Sequence, residues 1–485
     1  MRIRAVLFVL SNLLAITGLT QLLPLLVAIF LDERESHGFN DILGFGSSIA
    51  FSLIIGVAGR RFLKSHASNV GLREGFGVVT TAWIVLSLFG MLPYLFCGAT
   101  TSITDAFFET MSGFTTTGAT VFPKVEIFSP ALHVWRAMTQ WLGGMGIVVL
   151  SVALLPMLGI GGYRLLKAET PGGFAFERDR PRITDSAKSL WRLYLGLTGV
   201  LAIIYWGLGM SVIDAVSHAF TTLSSGGFST HSESIGFFNS PSIEWVTIVF
   251  MVIAGTNFTL IPLFIDRPKK VIENLEYTTY LGIILFATGL TFWLVPQSTA
   301  SLDHLRTSTF QVVSIITSTG YATADYETWP TLIRMMFVYF MITGACMGST
   351  SGGVKLTRIL VFFKSVTREL HQMVYPHAVK TIKLGRKMIR DDVAGNMMAF
   401  GSLFILLMTV GVIAMVLSGY NLEVSIGTAI SALGNTGPAL GELGPTGNWA
   451  GLPDTTKWVM AFLMLCGRLE LFSVIVLFSA WAWRR

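Results

Sequence analysis

The sequence predicts an all-α polytopic membrane protein: two N-terminal spans followed by four helix–loop–helix repeats in a pseudo-fourfold arrangement. Three observations predict it. Charged residues make up 13% of the 485 residues against 52% hydrophobic, too little charge to cover a soluble protein of this length. The apolar residues are gathered into long runs, many near or beyond the roughly 20 residues that cross a bilayer core. Four short segments rich in Ser, Thr and Gly recur between those runs.

Ten apolar segments can be marked, at 5–31, 42–63, 76–97, 132–158, 190–210, 243–265, 277–295, 332–363, 393–417 and 458–483. The first follows Arg2 and Arg4 as a signal peptide would, but it is too long and lacks a small-residue cleavage site, so a retained span is expected. Lys and Arg fall in alternate loops, from Arg60, Arg61 and Lys64 through Arg164, Lys167, Arg178–Arg192, Arg267, Lys269 and Lys270 to Lys355–Arg390 and the terminal Arg484 and Arg485. By the positive-inside rule both termini are expected in the cytoplasm, and ten crossings satisfy that. The net charge of +6 is therefore read as membrane topology and not as a nucleic-acid surface. Cys97, Cys346 and Cys466 form neither a disulfide framework nor a metal-ligand spacing.

The four polar segments can be aligned on one glycine each: Thr115-Thr116-Thr117-Gly118, Leu223-Ser224-Ser225-Gly226, Thr317-Ser318-Thr319-Gly320 and Gly434-Asn435-Thr436-Gly437. Upstream of each lies a stretch long enough for half a crossing, at 105–113, 214–222, 307–314 and 424–432, with Asp105 and Asp214 expected to start the first two. The chain thus divides into two N-terminal spans (1–71) and four units at 72–162, 163–275, 276–364 and 365–485, the third with a broken second helix. Non-helical backbone cannot face lipid, because each unpaired N–H or C=O costs several kcal/mol, so such segments are buried or line water. A lone Ser/Thr-Gly is usually a turn or a helix-packing contact. Four of them, each after a half-helix, point to re-entrant loops converging on one pore, with carbonyls replacing the hydration shell of a cation. Glycine supplies the backbone angles that turn those carbonyls inward.

These segments, with Gly344-Ala345-Cys346-Met347-Gly348-Ser349-Thr350-Ser351-Gly352-Gly353-Val354-Lys355, resemble the Trk/Ktr/HKT superfamily of potassium transporters over essentially the whole chain. The two extra N-terminal spans fit its TrkH branch. The resemblance implies K⁺ as the transported ion, no covalent cofactor, and a bacterial inner-membrane location. It further implies a homodimer with one pore per chain, and a TrkA-type cytosolic nucleotide-binding subunit docked beneath. The filter residues it implies are Thr116, Thr117, Gly118, Ser224, Ser225, Gly226, Ser318, Thr319, Gly320, Asn435, Thr436 and Gly437. Only one glycine per repeat aligns, so K⁺ selectivity is expected to be weaker than in tetrameric channels, whose filter repeats Thr-Val-Gly-Tyr-Gly.

A gate is expected from Gly348, Ser349, Thr350, Ser351, Gly352 and Gly353, whose density of Gly and Ser breaks a helix. Packing of small residues is the alternative. Arg468, inside the last apolar run, is expected to raise a barrier to cations beneath the filter, since an intramembrane Arg is costly and functional by default. Glu470 stands two residues on, on another face of an ideal helix. Glu423, Glu442 and Asp454 are expected to make the outer mouth attractive to cations. K⁺ symport with H⁺ or Na⁺ is the alternative mechanism; it needs a mid-membrane relay, for which Glu470 is the candidate. An enzyme is not expected, because no nucleophile–base pair or phosphate loop is visible.

Overall fold

The computed structural model describes residues 2–30, 38–64, 72–144, 146, 183–296, 301–377, 381–385, 387–389 and 391–483. Nearly all of its regular structure is helical. Among the described residues, six helices are long and apolar enough to cross a membrane: Ile3–Phe30, Asn40–Leu63, Glu74–Phe96, Lys188–Gly207, Leu275–Leu294 and Val393–Leu417. A seventh candidate is the pair Asp454–Arg468 and Phe472–Phe478, bent by 112°. Leu285, Phe286 and Trp293 stand strongly exposed on one of these helices, as lipid contact permits. The first span packs backbone to backbone on the helix Gly38–Leu63: a Cβ on Gly56 would lie 2.8 Å from both Ala15 N and Ser11 O. Small residues of this kind let helices approach closely where no water drives them together.

Three of the ten expected spans are not continuous helices. The helices that follow the polar loops are Pro130–Gly144, Pro241–Ala254, Thr331–Thr343 and Asp454–Arg468, of 15, 14, 13 and 15 residues. At 1.5 Å per residue each is about 20 Å long, short of the roughly 30 Å core. The run 243–265 breaks at 255–260, 332–363 at 344–355, and 458–483 at 469–471, where Glu470 and Leu471 take positive φ. The first of the four is described as helix to Gly144, and most of its expected continuation, like the basic linker at 164–182, lies outside the described residues. Only the third unit was expected to break. A continuous apolar run carries no periodic signal for an interruption. Glycines near the described ends of the first and fourth helices allow close backbone approach: a Cβ on Gly143 would sit 1.9 Å from Phe114 O, and one on Gly467 2.0 Å from Leu433 O. The helix Asp454–Arg468 therefore ends against the chain at Leu433.

The chain is not all-α. Ile382–Leu384 and Lys387–Ile389 form a two-stranded antiparallel hairpin with Ile382 opposite Ile389, in the basic segment that sequence reading left as a linker. Gly385, at φ 59°, turns it, and Ile382 and Ile389 pack with Val361, Ala394 and Met397. The main core is in two parts. One joins the N-terminal helices to the surroundings of the first and fourth loops, including Phe107, Trp135, Leu433 and Met464. The other gathers the second and third, including Leu223, Met251, Ile315 and Phe337.

Candidate functional site

Four half-helices lead into the polar loops: Ile103–Phe114, Val212–Leu223, Ser301–Ile316 and Leu422–Gly434. The N-caps of three are side chains: Ser102 accepts from Asp105 N at 3.1 Å, Ser211 from Asp214 N at 3.1 Å, and Asn421 from Val424 N at 2.9 Å. Asp105 and Asp214 therefore sit in the first turn and do not start the helices. All four half-helices close alike. Thr116, Ser225, Ser318 and Asn435 take left-handed φ of 53°, 55°, 53° and 52°. Their amides donate three residues back, to Gly113, Thr222, Ile315 and Ala432. The next amides, of Thr117, Gly226, Thr319 and Thr436, donate five back, to Ser112, Thr221, Ser314 and Ser431. This is the Schellman closure, which satisfies carbonyls otherwise orphaned at a helix end.

That closure corrects the alignment of the second loop by one residue. The glycines at positive φ are Gly118, Gly227, Gly320 and Gly437, so Gly227, and not Gly226, matches the other three. Gly226 matches Thr117, Thr319 and Thr436, and Ser224 falls back to the register of Thr115. A Gly-Gly pair offers two alignments on residue identity alone, and the backbone angle selects between them.

The matched glycines form a closed ring of contacts. A Cβ on Gly118 would lie 2.1 Å from Gly226 O, on Gly227 1.7 Å from Thr319 O, on Gly320 2.2 Å from Thr436 O, and on Gly437 2.6 Å from Thr117 O. Each loop thus abuts the carbonyl of the next, and the fourth returns to the first. Threonine hydroxyls brace two loops from within, Thr115 to Thr117 and Thr317 to Thr319, both at 2.8 Å. Asn435 Nδ2 donates to Thr117 Oγ1 at 3.0 Å across the fourth and first loops. Thr116 Oγ1, Thr436 Oγ1 and Asn435 Oδ1 are buried without a hydrogen-bond partner.

The interrupted segment 344–355 lies against the C-terminal ends of these half-helices. Thr350 Oγ1 donates toward Leu223 O and Ala254 O at 3.1 and 3.2 Å and sits 2.6 Å from Ser225 Oγ. Gly352 N donates to Ser318 Oγ at 2.5 Å, and a Cβ on Gly352 would meet Gly434 O at 2.0 Å. The segment therefore touches the second, third and fourth half-helix ends. Arg468 connects it to the first unit: Nη1 donates to Thr350 O at 2.8 Å, and Nη2 to Gly143 O at 2.7 Å and Gly144 O at 3.0 Å. Ser349 and Ser351 join hydroxyls at 2.7 Å, and Lys355 Nζ donates to Ser351 O.

A family model described as TrkH, cation transport protein, matches residues 45–483. The chain is 36% identical to the Trk system potassium uptake protein TrkH of Halomonas elongata and 35% identical to that of Escherichia coli K12, over the full length of both partners. It superposes on the crystal structure of the potassium transporter TrkH from Vibrio parahaemolyticus with a TM-score of 0.88, at 34% identity and complete coverage of both chains. The chain belongs to the TrkH family. Its relatives carry the names of uptake proteins and not of enzymes.

Several charged groups in this TrkH-family chain were not singled out by sequence reading, or were read differently. Lys355 and Arg358, counted there with the cytoplasmic basic cluster, are buried. Arg358 Nη2 pairs with Glu470 Oε2 at 2.5 Å and its guanidinium lies 4.2 Å from the Phe400 ring centre. Glu276 Oε1 accepts from Met347 N at 2.7 Å and so holds the interrupted segment from the side. Behind the first two loops, Glu109 Oε1 and Arg136 Nε pair at 2.7 Å, both buried. Glu109 also accepts from Val121 N, and Arg136 donates to Ser229 O at 2.8 Å, tying together the chain that leaves each loop. Breaking one partner of such a buried pair is strongly destabilising. Asp105 pairs with Lys457 at 2.7 Å, and Glu423, read as an attractor of cations, pairs with Arg334 at 2.8 Å. A signal was available only in the type of residue: Glu109 and Arg136 are charges within otherwise apolar segments, where a partner is the default expectation, whereas Glu276 stands at the edge of one and carries no such signal.

Proposed function

We propose that this chain carries K⁺ into the cell across a bacterial inner membrane, through a gated and moderately selective pore formed by its four loops. The observation that carries this reading is the closed ring of glycine-to-carbonyl contacts from the first loop to the fourth and back. The four half-helix C-termini, each with a partial negative charge, meet there, and carbonyls held at that ring can replace the water of a cation. The unpartnered buried oxygens of Thr116, Asn435 and Thr436 supply further acceptors. Thr116–Gly118, Ser225–Gly227, Ser318–Gly320 and Asn435–Gly437 are the filter in this reading. The five-part division of the chain and the pseudo-fourfold axis follow from it, with both termini in the cytoplasm. Support also comes from relatives named as potassium uptake proteins. Coupled symport finds less support, because Glu470, its relay candidate, is engaged by Arg358.

Purified protein in liposomes is expected to pass K⁺ and Rb⁺ faster than Na⁺ and Li⁺, driven by the membrane potential alone. Equal flux of all four ions, or flux that requires a proton or Na⁺ gradient, would sink the proposal.

The gate in this reading is the segment 344–355 with Arg468, and a cytosolic TrkA-type nucleotide-binding subunit controls it, acting on a homodimer. The exposed hairpin region is a docking surface for an acidic face of that subunit, with Lys364 and Lys383 outside the membrane on its cytoplasmic side. The basic set runs over 364–390 and 178–192: Lys188 and Arg192 lie on the helix Ile183–Gly207, while Arg178, Arg180, Arg182, Lys380, Arg386 and Arg390 lie outside the described residues. Replacing Lys364 and Lys383 by Gln is expected to weaken co-purification of the two subunits; undiminished recovery would assign the charge to anionic lipid alone.

A further inference from the structure

Three of the four loops carry threonine just before the ring glycine, Thr117, Thr319 and Thr436, while the second carries Gly226. The reason is Gln140. This fully buried residue lies on the helix Pro130–Gly144 of the first unit. Its Nε2 donates to Gly226 O at 2.6 Å, and its Oε1 accepts from Phe228 N at 3.0 Å. A carbonyl only accepts and a backbone amide only donates, so both partners fix the same orientation of the side-chain amide. A Cβ on Gly226 would stand 2.3 Å from Gln140 Cδ and 2.4 Å from its Oε1. The amide therefore occupies the volume a threonine side chain would fill. Gly226 has no positive φ that would demand glycine; it is glycine because Gln140 is there.

The feature breaks the fourfold pattern. Gly143 against Phe114 O and Gly467 against Leu433 O mark matching points of the first and fourth units. Three residues upstream of these glycines stand Gln140 and Met464, so the fourth unit has no amide at this place. The ring carbonyl of Gly226 has one lone pair engaged by a strong donor.

We infer that Gln140 is a specificity-determining residue of the ring: from a neighbouring helix it supplies the polar, space-filling group that threonine supplies in the other three loops, and it fixes the position and basicity of the Gly226 carbonyl. This rests on the pore reading above. Ion selectivity depends on the number and field strength of such carbonyls, so an alteration at one of four is felt in the ratio of ions and not only in stability.

The test compares K⁺ and Na⁺ flux in liposomes for Gln140→Met, Gln140→Glu, Gly226→Thr and the double variant Gln140→Ala/Gly226→Thr, with Tm recorded for each. Gly320→Ala is run beside them as a probe of the ring itself. Gln140→Met is expected to lower the K⁺/Na⁺ ratio by about three- to tenfold, the scale of one hydrogen bond. Gln140→Glu keeps the shape and, while burial holds it protonated, can still donate to Gly226 O; it is therefore measured over rising pH, where the ratio is expected to fall as the carboxyl ionises with the fold retained, so the inference stays testable if the Met variant does not fold. Gly226→Thr alone is expected to lower the ratio through the clash, and the double variant to recover it, because threonine takes the place left by the amide. Native ratios in both Gln140 variants, with Gly320→Ala altered, would reduce Gln140 to a packing role. A double variant no better than Gly226→Thr would overturn the substitution account. A native ratio in Gly320→Ala would instead overturn the pore reading.

Discussion

Replacing Gly118, Gly227, Gly320 or Gly437 by alanine is expected to lower K⁺/Na⁺ discrimination by about tenfold or more, while the protein still folds and inserts. Two effects add. Each glycine holds φ between 74° and 99°, a region that costs an L-residue roughly 1–2 kcal/mol. Each new Cβ would also stand within 2.6 Å of a carbonyl oxygen on the next loop, so backbone must move, and the moving group is a ring carbonyl. At about 1.4 kcal/mol per decade, the conformational term alone approaches tenfold if it is relieved by distorting the ring. The contact distances rank the variants: Gly227, at 1.7 Å, is the most sensitive and Gly437, at 2.6 Å, the least. Gly289→Ala serves as the control, since nothing lies within 4 Å of its added Cβ. Flux measured with each ion decides the matter. If all four variants keep the native ratio, the loops are not the filter.

The second large effect is expected at Arg468. Sequence reasoning makes it a charge barrier, for which Arg468→Lys would change flux less than Arg468→Ala. The geometry makes it a clamp as well: three backbone carbonyls, Thr350 O on the interrupted segment and Gly143 O and Gly144 O on the first unit, accept from one guanidinium. Hydrogen bonds from a charged donor contribute about 1.5–3 kcal/mol, and a single ammonium cannot reproduce the planar fork. Arg468→Ala should therefore raise K⁺ flux of the purified protein alone by about tenfold or more, at roughly 1.4 kcal/mol per decade. Arg468→Lys should fall close to it, and not close to the native protein. Shortening the segment at 348–353 should raise flux in the same way and make Arg468→Ala redundant. Flux that stays low in well-folded Arg468→Ala protein would show that the contact is structural and that the gate is elsewhere.

The helical membrane class, the two N-terminal spans, the half-helices and the polar loops were legible because they rest on composition, run length and the local chemistry of Gly, Ser and Thr. The half-helix bounds came out a few residues short, because the first turns at Ser102 and Ser211 are set by side-chain caps that precede the apolar run. The hairpin at 382–389 was missed for a related reason: its strands are three residues each, too short for alternation to stand out among basic residues.

What the sequence determined by itself is the set of groups available: four glycine-bearing loops, a Gly/Ser-rich break, and one arginine within the last apolar run. The tertiary structure decided which of these meet. Which glycine of the Gly226-Gly227 pair joins the ring depends on a left-handed turn at Ser225, and the residue that fills the gap, Gln140, comes from another helix, 86 positions away. The partners of Arg468 are backbone carbonyls, which every residue carries and no side-chain pattern can reveal. Glu470 and Arg358 meet across 112 positions. Local propensity acts within a few residues, whereas a carbonyl's partner or a buried ion pair is fixed only when distant helices pack, and the sequence pattern holds no direct trace of that distance.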